Sequence, residues 1–287
     1  MSSLGLGLEV SDSVVRAVIV DDTGRVTWRG EGSADPRSVA AQLKAAVKKA
    51  GGVAAAGVAH YGDVPAALQR AVSDASGVES RSAGAGIAAA TAETWCGAAQ
   101  GLKHVVALTL GDHIAAGVIL NGAPWSGAHG LAGSAAWLAI NPVERQDYRR
   151  RGSLDAEISA RGIARRLVWR IESGDRSSVL EKARTLDAIT AAHVFDGARE
   201  PDGVALSVVR DTAKYIGMAI ANLIATVDPE MTIIGGAIAR AGDLLLEPVR
   251  QECARRLSPT LAERLRIEIS PLGSEAAAIG AARLARG

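Results

Sequence analysis

Residues 5–20, GLGLEVSDSVVRAVIV, and residues 104–122, HVVALTLGDHIAAGVILNG, decide the fold, because they state one theme twice. Each is an apolar β-rich run, a short polar bend and a second apolar run, the pattern of a hairpin whose strands are buried. Asp21-Asp22-Thr23-Gly24 supplies a turn after the first hairpin and RVTWRG a third strand. Helical spacing follows from Pro36 to Ala50, then a strand over 53–60 and a helix over 65–75 capped by Asp63, so the first half reads βββαβα. After Gly122 the order changes. An Arg-rich polar stretch over 144–151 leads to a helix over 154–172 and a long helix over 202–227. A strand into Gly235-Gly236, a helix over 244–257, a strand at 266–269 and a last helix over 274–286 complete the chain. This predicts two α/β domains of related topology, 1–120 and 121–287, with the final helix free to return to the N-terminal one.

Composition bounds the function. The chain has 287 residues, 48% of them hydrophobic, enough for two packed cores. Its formal net charge is +1, with no segment dominated by one sign, so the sequence predicts neither a nucleic-acid nor a membrane-surface partner. Cys96 and Cys253 lie far apart with no metal-ligand spacing. No basic start with an apolar core opens the chain, and no apolar run approaches the ~18 residues of a membrane span. A cytoplasmic protein is the expectation.

Five collinear blocks, LTLGDHIAAGVILNG (108–122), NGAPWSGAHGLAG (121–133), ITAAHVFDGAREPDGVAL (189–206), DPEMTIIGGAIARAGDLLLEPVR (228–250) and GSEAAAIGAARLA (273–285), resemble the ROK family of sugar kinases and repressors. The resemblance implies an α/β, actin/hexokinase-like fold of two ribonuclease-H-like domains, and commonly a homodimer. It also implies a site that this sequence keeps only in part. In SAGAGIAAATAETWCGAAQG (82–101) the family's catalytic Asp falls on Ala85 and the preceding Asn on Gly84, counted back from Glu93. A methyl group cannot take a proton, and general-base catalysis is worth about 10²–10⁴-fold.

The family's first phosphate loop corresponds to Glu9-Val10-Ser11-Asp12-Ser13-Val14, and its second to Gly111-Asp112-His113-Ile114-Ala115-Ala116. Two carboxylates, Asp12 and Asp112, would then face a triphosphate, at about 4 kcal/mol for like charges ~4 Å apart in an effective dielectric of 20. The alternative is that both are turn residues pointing at water. The zinc-ligating His of the family falls on Trp137, one of its cysteines on Ser153 and its sugar-binding Glu on Asp155, so the resemblance implies no zinc. The sugar-covering insertion of the family is reduced to the junction of His60-Tyr61-Gly62 with Val64-Pro65.

The expected site therefore has no established catalytic residue. Asp112 and His113 are candidates for a new acid/base pair, set against a solvated turn. Glu9, Ser11, Ser13, Asp155, Gly235 and Gly236 are the expected pocket residues, and the two glycines also serve as a tight turn after a buried strand. The Arg149-Arg150-Arg151 run is either a solvated loop paired with Asp147, Asp155 and Glu157 or an anion site. Trp125, Trp137 and Trp169 are expected in the core or at an interface. The leading reading is a pseudokinase with a ligand-binding or scaffold role and no cofactor. Its alternatives are a repurposed enzyme working in the old cleft and an atypical sugar or aminocyclitol kinase, the one case that needs ATP and magnesium. A repressor is disfavoured because the first strand begins near residue 5, leaving no helix-turn-helix ahead of it.

Overall fold

A computed structural model describes residues 3–62 and 66–287, and the expected cap Asp63 and the Val64-Pro65 end of the shortened junction lie outside these described residues. The first sheet comprises β1 (Gly5–Val10), β2 (Val14–Val20), β3 (Val26–Ser33), β4 (Ala55–His60) and β5 (Ser80–Gly84), in the order β3-β2-β1-β4-β5. The second comprises β6 (Val105–Leu110), β7 (Ile114–Leu120), β8 (Ala123–Pro124), β9 (Met231–Gly235) and β10 (Ile267–Ile269), in the order β10-β9-β6-β7-β8. Read from the hairpin edge, the two orders are the same. In each, antiparallel pairs make the first three strands and parallel pairs add the last two. The repeated theme of residues 5–20 and 104–122 is thus the repeated core of two sheets, and its central strands β1 and β6 are apolar on both faces because helices cover both.

The helices are α1 (Pro36–Ala50), α2 (Ala66–Ser76), α3 (Ala85–Cys96), α4 (Gln146–Arg151), α5 (Ser153–Ile158), α6 (Ala160–Glu172), α7 (Ser178–Ala183), α8 (Ala191–Arg199), α9 (Gly203–Val227), α10 (Gly242–Ala254), α11 (Pro259–Ala262) and α12 (Ala276–Ala285). Local chemistry sets their ends. Asp35 accepts from Arg37 N and Ser38 N at 2.9 and 3.0 Å ahead of Pro36, and Gly51 closes α1 with φ +66°. Asp202 caps α9 through Val204 N and Ala205 N.

Five layers result. Helices α1 and α2 cover the outer face of the first sheet, α12 and α3 lie between the sheets, and α5, α6 and α8–α10 build the large core on the far face of the second. The middle layer is made of small residues: Ala88, Ala89, Ala276, Ala277 and Ala281 are buried together. Gly86 and Gly117 face each other so closely that a Cβ on either would fall on backbone atoms opposite, Ala116 and Gly117 for the first, Gly86 for the second. Gly86 and Gly117 therefore serve a backbone-to-backbone approach of α3 to β7, and a Cβ on Gly280 of α12 would likewise meet the Ala88 carbonyl of α3.

Strands β6 and β7 hydrogen-bond to each other and to β9 and β8, so the change of sheet falls between β5 and β6. Two expectations are corrected. The helix expected over 154–172 is broken at Ser159, whose extended backbone and side chain cap α6, and the polar stretch before it is itself helical as α4. Of the two placements open for Trp125, Trp137 and Trp169, the core is excluded: they are 48%, 58% and 41% exposed, and Trp169 lies under the Arg165 and Arg145 guanidiniums.

Candidate functional site

The two bends of the repeated theme meet. β1–β2 ends in Ser11-Asp12-Ser13 and β6–β7 in Gly111-Asp112-His113, and these turns are bonded to each other across the gap between the sheets. A single oxygen, Asp112 Oδ2, accepts from Ser11 Oγ at 2.8 Å, from Ser13 N at 3.1 Å and from Ser13 Oγ. In the other direction Asp12 Oδ1 pairs with His113 Nε2 at 2.9 Å. Burial pulls the Asp112 carboxyl up, but the bonds from Ser13 and Ser11 outweigh it and hold it below its ordinary value. Asp112 bonds to Ser11 and Ser13, and His113 faces Asp12 and Asp155. They address opposite sides of the turn.

His113 is also linked to α5. Its Nδ1 lies 3.6 Å from Asp155 Oδ2, its Nε2 faces Asp12, and Arg151 and the Tyr61 ring flank it. Hydrogen bonding to Asp155 raises its pKa above the ordinary value; burial opposes this and Asp12 adds to it. Asp155 is 1% exposed, receives Arg151 Nε at 2.8 Å and Ile114 N at 3.1 Å, and so ties α5 to β7. Arg151 also donates to the Asp112 carbonyl at 3.1 Å.

Beside this junction runs a cleft of about 1010 Å³, walled by the β5–α3 corner, the loop after β8 and α4. Asp155, His113 and Ala85 line it, whereas Glu9, Ser11, Ser13, Asp112, Gly235 and Gly236 do not. Glu9 is sealed, with the Tyr61 hydroxyl donating to Oε1 at 3.0 Å and Arg16 3.4 Å from Oε2. Burial raises the Glu9 pKa against the pull of Arg16. Gly236 has φ +86°, and a Cβ there would fall on the backbone of Leu110. Its glycine is required by the β9 turn itself, whatever else the turn binds. Ala85 is buried as the first residue of α3, and Gly84 gives that helix no side-chain cap. Glu93, further along α3, is 1% exposed and accepts from Ser270 Oγ and, at 2.9 Å, from Ala98 N, fastening α3 to the turn after β10.

Sequence reasoning passed over Arg81 of β5 and Leu131 in the loop after β8, which line the cleft, and it expected Trp137, which stands there exposed, in the core or at an interface. Of the three consecutive arginines, Arg149 pairs with Glu144 at 2.7 Å and Arg151 with Asp155, while Arg150 lines the cleft. The helical spacing of α4, which turns successive side chains to different sides, was the signal available for separating them.

The model of the "ROK family" matches residues 43–287. Glucokinase of Halalkalibacterium halodurans is 34% identical over 194 residues, 67% of this chain and 59% of that protein. The xylose repressor of Caldicellulosiruptor bescii is 27% identical over the same share of this chain and 48% of its own length. The chain thus spans about three fifths or less of these relatives. Among solved structures, a ROK family glucokinase from Streptomyces griseus in complex with glucose and AMPPNP superposes with a TM-score of 0.86, at 25% identity over 99% of both chains. A ROK family transcriptional regulator, homologous to the E. coli MLC protein, gives 0.80 at 22% identity over 99% of this chain and 78% of that one. Relatives include regulators, so the near-neutral composition of this chain does not exclude nucleic acid as a partner. Among the described residues no helix is long and apolar enough to cross a membrane.

Proposed function

The chain belongs to the ROK family, with its actin/hexokinase-like fold, and we propose that it is a member in which phosphoryl transfer is lost and the sugar cleft is kept as a ligand-binding site. The observation that carries this is the bonding of the two turns. The hydroxyls and amide of Ser11 and Ser13 are the groups a phosphate would use, and all three are directed to Asp112 Oδ2. A nucleotide would have to displace a carboxylate from its donors and then lie beside it, which the repulsion of like charges opposes. The residues at this junction do not fit a magnesium–triphosphate group. Ala85 on the cleft wall adds that no carboxylate stands at the first turn of α3.

Zinc is absent from the proposal for a similar reason: an indole at Trp137 and a hydroxyl at Ser153 are not zinc ligands. The working form in this reading is a cytoplasmic homodimer with a small-molecule partner and without a nucleic-acid or membrane partner.

The test is a coupled phosphorylation assay with hexoses, amino sugars and cyclitols, ATP and magnesium. No turnover above background is expected, for the unaltered chain or for Ala85→Asp. Millimolar ATP should also leave the melting temperature unchanged, whereas a ligand at 100 times its Kd adds about 2.7 kcal/mol, or roughly 2–4 °C for a chain of this size. A robust rate in the unaltered protein overturns the proposal in favour of an atypical kinase.

A further inference from the structure

We propose that the cleft selects a monosaccharide-sized ligand carrying an anionic group, a carboxylate or a phosphate, gripped by Arg150 and Arg81 with Trp137 as the shelf for the ring. This rests on the reading of the cleft as a binding site and names what it takes.

Among the described residues the charged lining is mostly cationic: Arg81, Arg150 and Arg151 line the cavity, with Asp155 as the carboxylate. That carboxylate is already spent on Arg151 Nε at 2.8 Å and Ile114 N at 3.1 Å. Arg81 and Arg150 make no ion pair and no side-chain hydrogen bond among the described residues, unlike Arg149 and Arg151 on the same helix as Arg150. Two guanidiniums left free in a concave wall are forks matched to carboxylate or phosphate oxygens, and a cavity with low-dielectric walls concentrates their field. The first turn of α3 adds its uncapped end to the same wall, with a methyl group at Ala85 in place of any opposing carboxylate. The cleft's size, about 1010 Å³, exceeds what an inorganic anion fills. Trp137, 58% exposed and in the lining, offers a broad apolar face of the kind that packs on the C–H face of a sugar ring.

Calorimetric titration of the full chain decides this, with D-glucose, D-glucuronate, D-glucose 6-phosphate and inorganic phosphate as probes at low and moderate salt. Glucuronate, glucose 6-phosphate or both should bind at least about tenfold more tightly than glucose, as one charge-assisted hydrogen bond allows, and more weakly as salt rises. Comparing the two acids tells which anionic group is preferred. The exposed pair Arg81→Gln with Arg150→Gln should remove that preference without changing the melting temperature, and Trp137→Ala should weaken every sugar probe. Ala85→Asp should weaken the anionic probes alone. Equal affinity for glucose and the acids, or no effect of the arginine pair, overturns the anion assignment while leaving the cleft a sugar site. Inorganic phosphate binding as tightly as glucose 6-phosphate overturns the sugar component. If no probe binds, the cleft is not a site for this class and the proposal falls, whereas loss of kinase activity is judged separately by the phosphorylation assay.

Discussion

The two sheets are joined in two places that differ in every physical respect. The seam of α3, α12 and β7 is buried, rich in glycine and alanine, and holds backbone against backbone. The junction of the Ser11-Asp12-Ser13 and Gly111-Asp112-His113 turns is polar, partly exposed, and held by side chains that could rotate away. The seam has no slack because close-packed backbone cannot be re-solvated in place. The junction has slack, because water can replace each of its donors and acceptors. In the proposed reading the nucleotide's phosphates would have to lie at the junction, and a polar bond there closes that place at little cost to the fold.

The largest effect should come from the seam. Gly86→Val places a branched side chain on the Ala116 carbonyl, and overpacking of this kind costs about 1–3 kcal/mol or more. The expected result is a melting temperature lowered by several degrees or loss of soluble protein, followed by circular dichroism. A melting temperature within about 2 °C of the unaltered chain would mean that the seam is looser than its geometry, and the contrast would collapse.

Breaking the junction should do less. Asp112→Ala removes three hydrogen bonds, but their donors are near water, so the loss should be about 1 kcal/mol. Hydrogen exchange sharpens the comparison: the Ser13 amide, which donates to Asp112 at 3.1 Å, should lose protection while the amides of α3 keep theirs. Loss of protection spreading into α3 would show that the junction and the seam open as one unit.

The smallest effect is a dependence on pH. His113 carries a raised pKa, so its protonated form is favoured in the folded chain by Asp155 and Asp12. Such a group contributes its full stability below the unfolded value of 6.5 and loses it as pH rises through the higher folded value. The melting advantage of the unaltered chain over His113→Gln should therefore be greatest near pH 6 and decline towards pH 8, by well under about 1 kcal/mol for a group this exposed. An advantage that grows with pH would place a neutral imidazole in the junction.

How much of this was legible depends on how local the cause is. The two hairpins, the start of α1 and the glycine after β9 are fixed by apolar β-rich runs broken at polar bends, by Pro36 and by a backbone that no Cβ tolerates. The pairing of Asp112 with Ser11 and Ser13 joins residues 101 and 99 positions apart, and nothing in either turn marks its partner. Both readings open for these aspartates, a barrier facing a triphosphate and a side chain turned to water, treated each turn alone. The exposure of Trp137 escaped notice because a tryptophan's apolar bulk usually signals burial.

Residue chemistry is fixed by the sequence itself: Ala85 has no proton to exchange, Glu93 is the acid that α3 retains, and repeated buried strands require two sheets of one topology. Only the tertiary structure decided which of those chemistries meet. It closed Glu9 under Tyr61, set Asp112 against the opposite turn, and left Arg150 facing a cleft while its neighbours found carboxylates. The reason is geometric. Hydrophobic periodicity specifies faces of individual strands and helices, whereas a polar side chain's partner is set by how two sheets approach, and that approach is fixed by glycines and alanines packed a layer away.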